Sequence, residues 1–205
     1  MKLSRHSIAL LSTTVGMILF AGAAPAQTLS GEALVKALQR GGHVIVMRHT
    51  SSPREAPDKQ AANADNVRVE RQLDEAGKTT ATAMGRALRD LKIPVSDVLA
   101  SPTYRALETV KYAQLGNPRT YTELGDNGQS MQGGTEAQAA WLRNRVTQFP
   151  SGSNTILVTH FPNIRDAFPQ ASGVDDGEAL VFGSDGKGGA ALLARIKIEQ
   201  WPGLR

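Results

Sequence analysis

Three short segments carry residue types that together could bind a phosphoryl group and accept it. They are Arg48-His49, Ser101-Pro102-Thr103-Tyr104-Arg105 and Thr159-His160. A neutral imidazole is a competent nucleophile near pH 7, and a guanidinium group binds phosphate oxygens bidentately. A second histidine can donate to the phosphoryl oxygens as charge develops on them. Each segment alone is a weak signal, because strand-end pairs, solvated helix arginines and core histidines are common.

The elements around these segments are predicted to bring them to one edge of a sheet. Short apolar, β-branched runs predict strands that end directly before each segment. Strands alternate with helical patterns along the chain, which is typical of an α/β protein. We predict a three-layer α/β/α sandwich with a mostly parallel central sheet. Ligands bind beyond the carboxyl ends of the strands in such sheets, so the three segments should meet there.

The predicted elements follow from hydrophobic spacing, caps and chain breakers. Helices are predicted over 30–40, 74–91, 101–113 and 136–149, with a helix or turn after Pro162. Strands are predicted over 43–47, 97–100, 120–122, 154–159, 180–182 and 191–198. Ser101 is expected to cap its helix, with Pro102 at the first position. The polar segments 50–70 and 125–134 are predicted to be loops that determine substrate choice.

The first 26 residues have the order of a secretory signal peptide. A positively charged start precedes an apolar run over 8–21, and the small residues of Ala24-Pro25-Ala26 follow it. A membrane anchor is the alternative, but it needs about 20 apolar residues, and polar residues from Ser12 onward interrupt this run. We therefore expect cleavage after Ala26, one domain over 27–205, and a periplasmic or secreted protein.

Composition excludes several other classes of function. The net charge is +4, and two of the basic residues lie in the signal segment, so nucleic-acid binding has little support. The chain has no cysteine, which excludes thiol nucleophiles and cysteine-ligated zinc. No His-x-x-x-His pair is present, and no second apolar segment is long enough to span a membrane. No pattern indicates an oligomeric state.

Taken together and in order, the segments resemble the histidine phosphatase superfamily, which includes phosphoglycerate mutases and acid phosphatases. Val46-Met47-Arg48-His49-Thr50 is similar to the family's strand ending in Arg-His-Gly. The range 101–109 matches Ser-Pro-x-x-Arg-Ala-x-x-Thr at every position, and Val158-Thr159-His160 matches the later Thr-His element. Leu73-Asp74-Glu75-Ala76-Gly77 is similar to the family's Leu-x-x-x-Gly helix start. The resemblance covers 42–194 and implies a phosphoglycerate mutase-like fold.

The resemblance also implies a reaction that needs no metal or cofactor. His49 would become phosphohistidine. The phosphoryl group would be bound by Arg48, Arg105 and His160. The implied function is a metal-independent phosphomonoesterase that acts outside the cytoplasm on a small phosphorylated substrate. Two alternatives remain open: a phosphomutase, against which export argues, and a non-catalytic protein that binds phosphorylated ligands.

Several further positions bear on the implied reaction. Glu123 lies where the family carries its proton donor and is the expected general acid, with Asp126 as the alternative. Thr50 replaces the family's Gly or Ala; its hydroxyl could bind the phosphate while its bulk narrows the pocket. Phe161-Pro162 stands where acid-phosphatase relatives carry Asp, which excludes that donor. Arg71 is expected at the protein surface, with the substrate entrance as the less favoured place.

Overall fold

The computed structural model describes residues 28–53, 71–126, 135–171 and 173–205 of the chain. The predicted signal segment and most of the two predicted loops lie outside these described residues. Cleavage after Ala26 and the start of the domain therefore stay predictions. Within the described residues, no helix is both long and apolar enough to cross a membrane.

The described strands form one mixed sheet. They are β1 (His43–Arg48), β2 (Val95–Ala100), β3 (Arg119–Thr120), β4 (Asn154–Thr159), β5 (Ala179–Ser184) and β6 (Ala190–Ile196). Their order across the sheet is β3-β2-β4-β1-β5-β6. β4 runs parallel to both β1 and β2, and β2 runs parallel to β3. β5 runs antiparallel to β1 and to β6, so it is the reversed strand of a mostly parallel sheet, as predicted.

The helices cover both faces of this sheet. They are α1 (Gly31–Arg40), α2 (Glu75–Asp90), α3 (Tyr104–Ala113), α4 (Glu136–Arg145) and α5 (Phe161–Ala167). Buried residues of α1, α2 and α3 pack on one face of the sheet, and those of α4 and α5 pack on the other. The predicted three-layer α/β/α sandwich is confirmed.

β1 shows why an unbroken apolar run forms a strand here. Ile45 and Met47 belong to the core beneath α1, α2 and α3, whereas Val44 and Val46 belong to the core beneath α4 and α5. All four side chains are buried. Successive side chains of a strand point to opposite faces, so a strand covered on both faces needs apolar residues at every position.

The ends of some helices were predicted wrongly. α3 begins at Tyr104 with Thr103 as its N-cap, so Ser101 is not the cap. The reason is that the Ser101 N–H continues the sheet edge by donating to the Val158 carbonyl oxygen at 2.9 Å. α4 ends at Arg145 rather than at 149, and the range 198–203 forms a 3-10 helix that the sequence pattern did not predict.

Candidate active site

The register of the sheet brings the three chemistry-bearing segments together. Arg48 and Thr159 are paired at the ends of β1 and β4. The next residues, His49 and His160, therefore leave neighbouring strands at the same edge. β2 ends on the other side of β4, and the hydrogen bond from Ser101 to a β4 carbonyl places the start of α3 beside them. The predicted meeting of the three segments is observed.

Arg105 joins the two histidines. Its Nε donates a hydrogen bond to Nε2 of His49 at 3.2 Å, and its Nη2 donates to Nδ1 of His160 at 3.0 Å. The two imidazole rings meet edge to face with their centroids 5.2 Å apart. All three side chains are buried, each with at most 3% of the residue exposed. We call these three residues the His-Arg-His cluster.

The hydrogen bonds determine which ring nitrogens carry protons. An arginine side chain can only donate, so Nε2 of His49 and Nδ1 of His160 must accept through their lone pairs. The other nitrogen of His49, Nδ1, lies 2.8 Å from the Thr50 carbonyl oxygen and donates to it. Nε2 of His160 lies 2.9 Å from the Ser101 hydroxyl and donates to that oxygen. Nε2 of His49 is therefore the unprotonated nitrogen that faces Arg105.

Burial and nearby positive charge keep both imidazoles neutral. The pKa of His49 lies well below the ordinary value of 6.5, first because burial disfavours the charged ring and then because of His160, Arg105 and Arg48. Burial likewise holds the pKa of His160 well below 6.5, with Arg105, Arg71 and Arg48 adding to the effect. A neutral imidazole retains the lone pair that nucleophilic attack requires.

These pKa shifts predict that the protein loses stability as the pH falls. Below about pH 6.5 the histidines of the unfolded chain bind protons while buried His49 and His160 do not, so protons favour unfolding. The free energy of unfolding should fall by up to about 1.4 kcal/mol per pH unit for each histidine. Urea unfolding between about pH 7.5 and about pH 5 measures it. The double variant His49→Gln/His160→Gln should have a clearly smaller slope; an unchanged slope would contradict the assignment.

Arg48 lies at the rim of the cluster and is held by the turn before β5. Its Nη2 pairs with Oδ1 of Asp176 at 2.6 Å, and its Nη1 donates to the Val174 carbonyl oxygen at 3.2 Å. Its guanidinium also lies 5.7 Å from the centre of the Phe161 ring. Asp176 was not predicted from the sequence. An acidic turn before an apolar strand is a visible signal, but it reaches this edge because β5 runs antiparallel.

Asp126, rather than Glu123, is the carboxylate that contacts the cluster. Its buried side chain forms an ion pair with Nη2 of Arg105. Glu123 belongs to the 3-10 helix Thr122–Leu124, where its carboxylate accepts a hydrogen bond from the Thr122 hydroxyl at 3.3 Å near solvent. Among the described residues, no hydrogen bond or ion pair connects Glu123 to the cluster.

The side chain of Thr50, whose hydroxyl could have bound the phosphate, contacts α3 in this structure. Thr50 is fully buried, its N–H donates to Oγ1 of Thr109 at 3.1 Å, and the two hydroxyl oxygens lie 3.3 Å apart. The Thr109 hydroxyl in turn donates to the Arg105 carbonyl oxygen at 2.9 Å. Thr50 therefore ties the loop that follows β1 to the helix that carries Arg105.

The Leu-x-x-x-Gly segment positions the start of α2 against the same loop. Oδ1 of Asp74 accepts from the Gly77 N–H at 2.7 Å, which caps the helix, and its Oδ2 accepts from the Ser51 hydroxyl at 2.7 Å. A Cβ atom at Gly77 would lie 2.1 Å from the Ser51 carbonyl oxygen. Only glycine allows this approach. The close contact with Ser51, two residues beyond His49, therefore explains why the Leu-x-x-x-Gly pattern requires glycine at position 77.

Arg71 is partly buried, whereas a surface position was expected from the sequence. Its Nε is buried without a hydrogen-bond partner among the described residues. Burial and the positive charge of Arg105 lower the pKa of Arg71 to about 10, against an opposing effect of Asp126.

The charges of the site favour the binding of an anion. Three guanidinium groups, those of Arg48, Arg71 and Arg105, act on the neutral histidines, and the carboxylates of Asp126 and Asp176 offset two of them. In the part of the chain that the structure describes, no three His, Asp or Glu side chains are arranged to hold a metal ion. The arrangement can therefore bind an oxyanion through arginines and present a neutral imidazole nitrogen to it.

Comparison with solved structures identifies the fold. The chain is similar to the protein histidine phosphatase SixA complexed with tungstate, with a TM-score of 0.56 and 16% identity, covering 77% of this chain and 98% of that one. It is similar to a phosphoserine phosphatase mutant from Entamoeba histolytica in complex with phosphoserine (TM-score 0.55, 12% identity, 77% and 98% covered). A SixA protein from Nakamurella multipartitia gives a TM-score of 0.51 at 23% identity, with 76% and 95% covered. No family model matches the sequence, and no curated protein matches it significantly. The chain has the fold of the histidine phosphatases.

Proposed function

We propose that this chain is a phosphomonoesterase that works through a phosphohistidine at His49 and acts outside the cytoplasm on a small phosphorylated substrate. One observation carries the proposal. The unprotonated Nε2 of His49 is held beside Arg105, which also contacts His160, so the nucleophile and a phosphate-binding arginine meet in one buried cluster. A protein that only bound phosphate would not need an unprotonated imidazole nitrogen beside the phosphate-binding arginine.

In the first step the substrate phosphoryl group takes over the donors of Arg105, with Arg48 and His160 nearby. Nε2 of His49 then attacks phosphorus, forming the N–P bond as the P–O bond to the leaving group breaks. The N–H donated from Nδ1 to the Thr50 carbonyl holds the ring in the required tautomer. Arginine donors offset the charge that the phosphoryl oxygens carry in the transition state.

The departure of the leaving group and the later attack of water both need a carboxyl group. As the phosphoryl group displaces its carboxylate from Arg105, Asp126 takes the proton of a monoanionic substrate phosphate and gives it to the leaving oxygen as that bond breaks. Its carboxylate then takes a proton from water while the water oxygen attacks phosphorus, which breaks the N–P bond and releases inorganic phosphate. We assign this role to Asp126 in place of Glu123, because Asp126 contacts Arg105.

The similar structures support phosphatase chemistry through what their descriptions say of them. One is a protein histidine phosphatase with tungstate and another is a phosphoserine phosphatase with phosphoserine. Both act on phosphorylated compounds, but the phosphorylated groups differ. They therefore support the reaction type and leave the substrate open.

The proposal is tested by phosphate release from p-nitrophenyl phosphate in the presence of a chelator, with protein purified after expression of the full chain. We expect turnover that survives the chelator. Absence of turnover over a broad phosphoester panel, combined with tight tungstate binding, would instead favour a non-catalytic phosphate-binding protein.

Replacing the two candidate acids separately distinguishes their roles. Asp126→Asn is expected to lower kcat about 100-fold for an alkyl phosphate and much less for p-nitrophenyl phosphate, because a poor leaving group needs the proton more. Glu123→Gln is the matched control, and its activity on both substrates should stay near that of the wild type. Steady-state kinetics on the two substrates gives the answer. If Glu123→Gln shows the leaving-group dependence instead, the assignment moves back to Glu123.

Export is the remaining part of the proposal. Its support is the signal-peptide pattern of the first 26 residues. Expression of the full chain in a Gram-negative host, followed by cell fractionation and N-terminal sequencing, should give a periplasmic protein that begins at Gln27. A cytoplasmic protein that retains Met1 would contradict export without affecting the proposed chemistry.

A further inference from the structure

The proposed reaction does not use the buried carboxylate of Glu178, which directly precedes β5. Its Oε1 accepts a hydrogen bond from Nε of Arg195 on β6 at 2.7 Å, and its Oε2 accepts one from the Asp175 N–H at 2.9 Å. Nη2 of Arg195 also donates to the Gly173 carbonyl oxygen at 3.2 Å. We call the residues 173–178 the 173–178 turn. A buried carboxylate is stable only when it is paired and hydrogen-bonded, so Glu178 and Arg195 fix this turn to β6.

The same turn also contacts the end of β1. Oδ1 of Asp176 pairs with Nη2 of Arg48 at 2.6 Å, and the Val174 carbonyl oxygen accepts from Nη1 of Arg48 at 3.2 Å. The Gly177 N–H donates to the His49 carbonyl oxygen at 3.0 Å. Contacts to two different nitrogens fix both the position and the plane of the Arg48 guanidinium. The turn therefore connects β6 to the Arg48-His49 pair.

Asp176 has two opposing effects on an anion that Arg48 binds. Its negative charge repels the anion, but its side chain is 31% exposed, so water and dissolved ions screen that repulsion. Its contact also holds the long Arg48 side chain in one conformation before an anion arrives. Without that contact, anion binding would have to order the rotatable bonds of Arg48. Because the repulsion is screened and the ordering cost is not, the holding effect should be the larger of the two.

We propose that Asp176 is a positioning residue that directs the Arg48 guanidinium toward the phosphoryl group. The Glu178–Arg195 pair supports Asp176 by holding the turn in place. The inference rests on the proposed function, because it takes Arg48 as a group that binds the phosphoryl oxygens. Oxyanion binding at the end of β1 then depends on a residue of β6 that lies outside the His-Arg-His cluster.

Tungstate binding tests this without requiring turnover, by isothermal titration calorimetry on the protein purified after expression of the full chain. Asp176→Ala should bind tungstate about 10-fold more weakly than the wild type, because the released Arg48 side chain must be ordered on binding. Asp176→Asn, whose amide oxygen can still accept from Arg48, should recover part of the affinity. Asp175→Ala is the matched control, because this neighbouring carboxylate is exposed and pairs with Lys197 at 3.1 Å. It removes the same charge from the same turn and should stay within about twofold of the wild type.

A double-mutant cycle shows whether Asp176 acts through Arg48. In an Arg48→Met background, Asp176→Ala should not weaken tungstate binding, since no guanidinium remains to be oriented. With p-nitrophenyl phosphate, Asp176→Ala alone should raise KM and leave kcat nearly unchanged, as loss of uniform phosphate binding does. Arg195→Met should weaken tungstate binding about threefold through the loosened turn. Arg195→Lys, which can still donate to Glu178, should restore it.

The outcomes separate this inference from the proposed function. Absence of turnover in the wild type and in every variant would count against the proposed function and leave the binding cycle readable. The positioning role is overturned if Asp176→Ala binds tungstate as tightly as the wild type, or if it weakens binding equally in the Arg48→Met background. Equal weakening by Asp175→Ala would also overturn it, because the charge of the turn rather than the contact with Arg48 would then be the cause. Unchanged tungstate affinity in Arg195→Met would overturn the support that β6 gives to the turn.

Discussion

Replacing His49 with glutamine is expected to lower the rate of phosphate release by at least about 10⁴-fold, as removal of a covalent nucleophile does in other enzymes. The reason is geometric as well as chemical. Nε2 of His49 is the unprotonated nitrogen beside Arg105, and the neutral state of the ring follows from its burial. Glutamine fills much of the same volume but has no ring nitrogen to form the N–P bond.

The control is His43→Gln, which changes a histidine at the opposite end of β1 and should leave turnover within about threefold of the wild type, as expected for a residue remote from the reacting groups. Rapid quenching with a radioactive phosphoester gives a second readout. Wild-type protein should carry acid-labile label, and His49→Gln should carry none. Activity of His49→Gln close to the wild-type level would remove His49 from the nucleophile role.

Arg105→Lys should have the second-largest effect, a loss of about 10³-fold in kcat/KM. Arg105 contacts three groups at once: His49 through Nε, and His160 and Asp126 through Nη2. A lysine ammonium is a single point donor and cannot reproduce this planar set of contacts, although it preserves the charge. The loss should therefore appear even though the net charge of the site is unchanged.

Arg119→Lys is the control for this change. Arg119 is also paired with a carboxylate, that of Asp97, but both residues lie away from the cluster and near solvent. Exposed ion pairs contribute little, so its kinetics should be close to those of the wild type. Tungstate binding followed by calorimetry adds a second measurement. Arg105→Lys with undiminished tungstate affinity and turnover would show that Arg105 serves only to hold the histidines in place.

Local sequence patterns were sufficient to predict the positions of residues that directly follow a strand. Apolar, β-branched runs predicted the strands that end before His49 and His160, and the carboxyl ends of parallel strands lie at one edge. The order of the segments therefore predicted that His49, Arg105 and His160 would meet. The glycine of the Leu-x-x-x-Gly match has a steric cause, the close approach of Gly77 to Ser51.

Sequence patterns did not predict side-chain directions that depend on elements distant in sequence. Glu123 and Asp126 are three positions apart, and only the fold of the 3-10 turn shows which carboxylate points at Arg105. Asp176 joins the site because β5 runs antiparallel, a direction that an apolar run does not encode.

The residue pattern alone predicts that Arg48-His49 lies with a second arginine and a second histidine at one edge of a sheet. Hydrophobic periodicity sets strand and helix positions, and strand ends then set the positions of the residues that follow them. The tautomer of His49 and the partner of Thr50 follow only from the folded chain. Those properties depend on hydrogen bonds, burial and charges contributed by segments that are distant in sequence and adjacent only after folding.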